Sequence, residues 1–195
     1  MYDLLRKHIE KRIHLTEEEF LACEGFFVSR SFRKRQFLLH EGEICKQIAF
    51  VNSGCLRAYT IDHKGEEHVI QFAIGDWWIS DLQSYLTGAL ATYNIDALQD
   101  SEVLLLEKAN RDLLLEAVPK IERFFRLLQE ANYIATHRRI TESLSSSAEE
   151  RYLVFIKTYP QLVENIPLNQ IASYLGVTPQ SLSRIRKELS QKRSS

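Results

Sequence analysis

The sequence predicts an α+β protein: a small β-barrel of the jelly-roll (double-stranded β-helix) kind, then one long helix, then a C-terminal helix-turn-helix. Three patterns carry that expectation. Between about residues 36 and 108, short apolar and β-branched runs are broken again and again by glycine-containing turns. Beyond Pro119, apolar residues recur in steps of three and four, the period of a helix with one apolar face. From Ile166 to Leu189, two brief helical patterns flank Gly176.

Residues 1 to 26 read as helical, with Thr16 and Glu19 spaced as a capping box ahead of Phe20 and Leu21. Arg30, Arg33, Lys34 and Arg35 follow as a basic cluster, expected to be a solvated strand edge or loop. Candidate strands are 36–40, 47–51, 55–61, 68–73 and 102–107. Between them, Gly42, Asn52 to Gly54, Asp62 to Gly65 and Gly75 with Asp76 supply residues that tolerate tight turns. A short helix is expected from Arg111 to Ala117, and Pro119 suits the first turn of a longer one running to about Ser143. Along it, Ile121, Phe124, Leu128, Ala131 and Ala135 form a coiled-coil seam, which calls for a partner. Packing onto the chain's own barrel would also satisfy it, but the flanking Glu122, Arg123, Arg126 and Glu130 favour a second copy. Ser145 to Ser147 read as a hinge, and Ser147 with Glu150 opens a further helix that ends at Pro160.

In the C-terminal stretch, Ile171, Ala172 and Leu175 share one helix face, Gly176 can take the positive φ that ends that helix, and Thr178 with Pro179 starts the next. On the second helix, expected over 179–190, Leu182, Ile185 and Leu189 turn inward and leave Gln180, Ser183, Arg184 and Lys187 outward. Residues 161 to 195 hold five basic groups against two acidic ones, in a chain whose net charge is −1. Positive charge is thus concentrated where phosphates would be met, which favours DNA recognition over an ordinary structural helix pair.

A chain of 195 residues, 45% hydrophobic, can bury one good core or two modest ones, which excludes disorder for most of its length. No apolar run approaches the length of a membrane span, and the N-terminus lacks the apolar core of a signal peptide, so a cytoplasmic protein with no membrane partner is expected. Cys23, Cys45 and Cys55 are odd in number and far apart, which predicts reduced thiols and excludes a four-cysteine cluster.

The order barrel, long helix, hinge, helix-turn-helix resembles the cyclic-AMP receptor protein and fumarate-nitrate regulator (CRP/FNR) superfamily. The resemblance spans the chain and rests on Glu41 to Glu43, on Phe50 to Arg57 around Gly54, on Lys64 to Glu67, on Gly75 with Asp76, and on the stretch from Ile166. The ending from Ile171 to Arg186 looks most like the branch of the family common in Bacteroidetes. The resemblance implies a cyclic-nucleotide-binding-like barrel over 1–118, a dimerisation helix and hinge over 119–144, and a winged-helix-like domain over 145–195. It implies double-stranded DNA and a second copy as partners, with RNA polymerase as a further one.

The departures bear on the effector. Cyclic-AMP binders of this family carry an Arg-Ser pair that cradles the phosphate, and the pair falls here on Ala91 and Thr92. The arginine is absent, and no charge between Leu86 and Asn94 replaces it. Phe72, Gly75, Asp76, Trp77, Ala91 and Thr92 are the expected pocket, which then takes a different small ligand or is filled by side chains. No cofactor is called for. The space between Pro160 and Pro167 is too short for the family's hairpin wing.

By the same resemblance Pro179, Gln180 and Arg184 stand at base-reading positions, and Asn169, Thr178, Ser181 and Lys187 at phosphate positions. A cupin-like metal enzyme using His40, His63 and His68 is the rival reading, weakened because no His-x-His pair exists. The chain shows no pattern of a catalytic triad, phosphate loop or zinc protease, so no enzyme activity is expected. A ligand-binding dimer without DNA binding is the remaining alternative.

Overall fold

A computed structural model of the chain describes residues 1–163 and 165–194. Helices α1 (Asp3–Glu10) and α2 (Glu17–Glu24) come first, and Thr16 and Glu19 close the expected capping box on α2. Eight strands follow: β1 (Val28–Phe32), β2 (Phe37–Leu39), β3 (Gln47–Ser53), β4 (Cys55–Ile61), β5 (Glu67–Ile74), β6 (Trp77–Ile79), β7 (Asn94–Ala97) and β8 (Ser101–Glu107). They form two four-stranded sheets, in the orders β1-β8-β3-β6 and β2-β7-β4-β5, with antiparallel pairing of β1 and β3 with β8, of β3 with β6, and of β2 and β4 with β7. This is a jelly roll. Helix α3 (Leu82–Thr87) lies between β6 and β7.

Continuous buried runs in the two central strands build the core: Ala49, Phe50 and Val51 of β3 and Val103 to Leu106 of β8 are buried, and α1 covers β3 where His8 meets Phe50 at 5.3 Å between ring centroids. Gly54, between β3 and β4, has φ +86, and a Cβ there would collide with Ser101 Oγ and the Asp100 carbonyl. Only glycine lets that turn press against the start of β8. One charge pair is buried in the second sheet. Arg57 and Asp96 face each other across β4 and β7, with Nε to Oδ1 at 2.8 Å and Nη2 to Oδ2 at 3.1 Å. The fork geometry satisfies both ions where either alone would be costly.

Helix α4 (Lys108–Ala117) leads into α5 (Lys120–Ser145), which runs 26 residues. After Ser146 and Ser147 come α6 (Ala148–Thr158), a 3-10 turn at Pro160–Leu162, α7 (Leu168–Leu175) and α8 (Pro179–Ser194). Ser147 and Glu150 form the second capping box. Contacts divide the chain into two units. One is Met1–Thr60 with Ile70–Ala131, the other Ile61–Val69 with Asn132–Ser195. The division falls inside α5 rather than at Pro119 or Ser145, and it assigns the β4–β5 tip to the C-terminal unit.

The expected coiled-coil seam needs correction. Ile121, Phe124 and Leu128 are buried in the protomer's own core, at 1%, 1% and 5% exposure, while Ala131 and Ala135 are exposed. Phe124 meets Phe125 at 5.3 Å and Trp78 at 6.3 Å between ring centroids. Three-and-four spacing marks an apolar face without saying what covers it, and here the barrel's aromatic cluster does so.

Candidate nucleic-acid interface and sensor barrel

The helix-turn-helix is built locally. Ile171, Ala172 and Leu175 are buried on α7, and Leu182 of α8 is fully enclosed. Ala172, at 0% exposure, has no side chain beyond Cβ and so lets the two helices approach closely. Gly176 takes φ +65 and closes α7 through hydrogen bonds to the Ala172 and Ser173 carbonyls. Thr178 Oγ1 accepts the Ser181 amide at 3.2 Å and so caps α8.

With Leu182 anchored, Pro179, Gln180, Ser183, Arg184 and Lys187 are exposed together with Arg186. Gln180 and Arg184, four residues apart, are neighbours on one face. Among the described residues, none of Arg184, Arg186 and Lys187 makes an ion pair, whereas Lys192 is tied to Glu149 at 3.0 Å. Of the residues expected at phosphates, Asn169 and Lys187 are exposed. Thr178 and Ser181 bond to each other through their hydroxyls, at 3.0 Å. No strand is described between α6 and α7, where a wing would stand.

Ser173 makes a contact that the sequence did not announce. Its hydroxyl donates to the Glu67 carbonyl at 2.7 Å and accepts from the Val69 amide at 2.9 Å, while Gln170 Nε2 donates to Glu67 Oε2 at 3.0 Å. The β4–β5 tip is thereby fastened to α7.

In the barrel, the residues expected to wall a pocket have other partners. The Asp76 carboxylate binds α1, with Oδ1 2.8 Å from His8 Nδ1 and Oδ2 2.6 Å from Lys11 Nζ. Partial burial works against its charge, but Lys11 and His8 outweigh that and hold the carboxyl below its ordinary range. His8 is 5% exposed, and its Nε2 accepts from Trp78 Nε1 at 3.2 Å, so Nδ1 carries the proton given to Asp76. Burial pushes its pKa down despite Asp76. Trp77 pairs with Val51 and packs on the main core, and Phe72 is fully buried. The Asp76 end of the expected pocket is therefore a joint between α1 and the β5–β6 turn, closed by Trp78 on His8. Ala91 is buried, its amide donating to the Glu43 carbonyl at 2.7 Å. Thr92 donates to Asp81, through its amide at 2.9 Å and its hydroxyl at 3.3 Å. A half-open groove of about 510 Å³ lies elsewhere, lined by Leu38, Glu43, Ile44, Lys46, Ile95 and Glu107, and by none of the six expected residues.

The rival histidines separate. His40 stacks on Phe37 at 4.0 Å, and His68 Nε2 lies 3.0 Å from Asp62 Oδ2. Asp62, Glu66 and His68 form a surface group within reach of one ion, but Asp62 Oδ1 already accepts the Lys64 and Glu66 amides. Cys23, Cys45 and Cys55 are buried free thiols. Burial pushes Cys23 and Cys55 up to about 12 and raises Cys45, so all three stay neutral. No helix among the described residues is long and apolar enough to cross a membrane.

Residues 29–117 match the family described as the cyclic nucleotide-binding domain. The regulatory protein HlyX of Actinobacillus pleuropneumoniae is 27% identical over 192 residues, covering 88% of this chain and 75% of that protein. The solved structure of FixK2 from Bradyrhizobium japonicum superposes with a TM-score of 0.74 at 17% identity, covering 85% of each chain. The c-di-GMP responsive regulator CLP of Xanthomonas campestris does so at 0.71 and 11%, covering 91% of this chain and 93% of that one. At those identities the structures establish the fold. Residues 29–117 thus resemble cyclic nucleotide-binding domains, and the fold of the chain is the one these solved structures share.

Proposed function

We propose that the chain is a homodimeric, DNA-binding transcription regulator that reads a roughly palindromic site with the start of α8. The single observation that supports this best is the exposed row of Gln180, Arg184 and Lys187, fixed by the buried Leu182 and carrying no ion pairs among the described residues. In this reading Arg184 donates two hydrogen bonds to guanine O6 and N7, and Gln180 pairs adenine N6 and N7. Pro179 offers apolar contact to a thymine methyl. Asn169, Lys187 and the start of α8 near Thr178 and Ser181 meet phosphates and fix register. HlyX is named a regulatory protein and CLP a global regulator of gene expression, which agrees with this reading. The ending from Ile171 to Arg186 resembles that of the Bacteroidetes-type branch, which supports placing the chain there. The barrel's input is something other than cyclic AMP, because Ala91 leaves no cation for a phosphate. RNA polymerase is the protein partner that such a regulator would engage.

The second copy pairs along α5, on a face other than the one the sequence suggested. Tyr133, His137, Ile140 and Leu144 follow steps of four, three and four. Tyr133, Ile140 and Leu144 are 64%, 49% and 84% exposed, and Ile134 beside them is 66% exposed. At about 100° per residue this row lies nearly opposite Ile121, Phe124 and Leu128. Two such protomers would set their α8 helices about 34 Å apart, one turn of DNA.

Genomic fragments selected by the purified protein provide the test. Arg184→Ala should keep the fold and the dimer yet weaken specific binding in a mobility-shift assay by about ten- to a hundredfold, the worth of one bidentate base contact. Equal binding by the variant and the parent would remove Arg184 from the reading role.

A further inference from the structure

We propose that the barrel carries its own anion: the Asp81 carboxylate takes the hydrogen-bond donors at Thr92 that the fold family offers to a nucleotide phosphate, so this domain does not accept a cyclic nucleotide. The inference deepens the reading that the barrel's input is not cyclic AMP, and it is independent of DNA binding.

Asp81 is 2% exposed and caps α3, its Oδ1 accepting the Ser84 amide at 3.0 Å. Its Oδ2 accepts both the Thr92 amide and the Thr92 hydroxyl, at 2.9 and 3.3 Å. Among the described residues no cation pairs with Asp81, so the negative charge is balanced only by these N–H and O–H dipoles. A phosphate brought to Thr92 would find both donors engaged and a like charge within a few ångströms, with no arginine at position 91 to offset it.

The surrounding loop is held in that arrangement. Glu43 O accepts the Ala91 amide at 2.7 Å, Ala91 O accepts the Gly42 amide at 2.9 Å, and Ile44 bridges Leu90. Ser84 adds a cross-link, its hydroxyl accepting the Cys45 amide at 2.8 Å and donating to the Ala89 carbonyl at 2.6 Å. Opening a place for a phosphate would break the Asp81 hydrogen bonds and unzip this loop from the Gly42 turn. A ligand must supply more than the cradle returns.

Isotope-labelled full-length protein tests the inference directly. Cyclic AMP or cyclic GMP, added to about 1 mM, should leave the Thr92 and Ser84 amide resonances unmoved and give no calorimetric heat, which sets any dissociation constant above that concentration. Asp81→Asn should move the Thr92 amide resonance, since the acceptor loses its charge. Saturable movement of Thr92 by either nucleotide in the parent protein overturns the proposal, as does an unmoved Thr92 amide in Asp81→Asn. If that variant does not fold, Thr92→Val decides the same point, because losing the hydroxyl should shift the Asp81 carboxyl carbon and an unshifted carbon counts against the proposal. All of these readouts lie in the barrel, so a protein that fails to bind DNA leaves them intact.

Discussion

The two halves of α5 have the same kind of sequence and opposite surroundings. From Lys120 to Leu128 the apolar residues are enclosed: Ile121, Phe124, Phe125 and Leu128 are all buried. From Tyr133 to Leu144 they are bare, and Leu144 is the most exposed at 84%. Arg126 with Glu130 and Arg138 with Glu142 place i,i+4 ion pairs along the helix, each worth only a few tenths of a kcal/mol. What separates the halves is what packs against them. The first half completes the aromatic cluster of Phe50, Trp78 and His8, whereas the second has an apolar row that a monomer leaves in water. A helix can therefore serve as core at one end and as interface at the other without a change in its periodicity.

The largest expected effect is at the buried end. Phe124→Ala should cost about 3 to 5 kcal/mol in urea denaturation, the usual penalty for emptying an aromatic site in a packed core. Under conditions where the variant is folded it should still dimerise. A loss of dimer without a loss of stability would mean that Phe124 belongs to the interface after all. At the exposed end the pattern should invert. Ile140→Glu places two like charges in the proposed seam and should raise the dimer dissociation constant about a hundredfold, or ~2.7 kcal/mol, in sedimentation equilibrium. Melting of the barrel should be unchanged at a concentration where both proteins are monomeric. An unaltered dimer would remove the Tyr133, Ile140 and Leu144 row from the interface.

The same contrast explains how much was legible in the sequence. The helix-turn-helix was, down to Gly176 and Thr178, because its determinants are caps and spacings within a few residues. Both capping boxes were legible for the same reason. The basic cluster from Arg30 to Arg35 suggests a strand edge or loop, and β1 overlaps it at Arg30 to Phe32 as an edge strand with four of five residues exposed. Within β7, Asp96 sits at a buried position, and only its long-range partner Arg57 makes that tolerable. The partners of the expected pocket residues were not legible, because they come from distant pairings: Asp76 with His8 and Thr92 with Asp81. The signal for Asp81 was present, a carboxylate three residues before Ser84 in an N-cap position, but nothing local pointed to Thr92. On α5, spacing fixes which residues align but not what packs against them.

The smallest expected effect concerns His8, which packs edge-on against Phe124 at 5.8 Å and so reports on the buried end alone. Its neutral ring gives Nδ1–H to Asp76 and takes Trp78 Nε1–H at Nε2, and a second proton would occupy the nitrogen that Trp78 and Arg12 face. Burial lowers its pKa below the ordinary 6.5; Asp76 opposes that shift, and Arg12 and Lys11 add to it. The sign follows from proton counting. Below about 6.5 the unfolded chain binds a proton at this position and the folded chain does not, so stability is full above that pH and declines as pH falls through the window down to the folded value. Denaturation curves between pH 7.5 and 5.5 should show this fall, and His8→Asn, which keeps a donor and an acceptor but cannot titrate in that range, should flatten it while lowering stability throughout. A slope unchanged in the variant would place the titrating group elsewhere. Dimer dissociation measured on folded protein should be insensitive to His8→Asn, because the ring's contacts lie with the barrel core and not with the row from Tyr133 to Leu144.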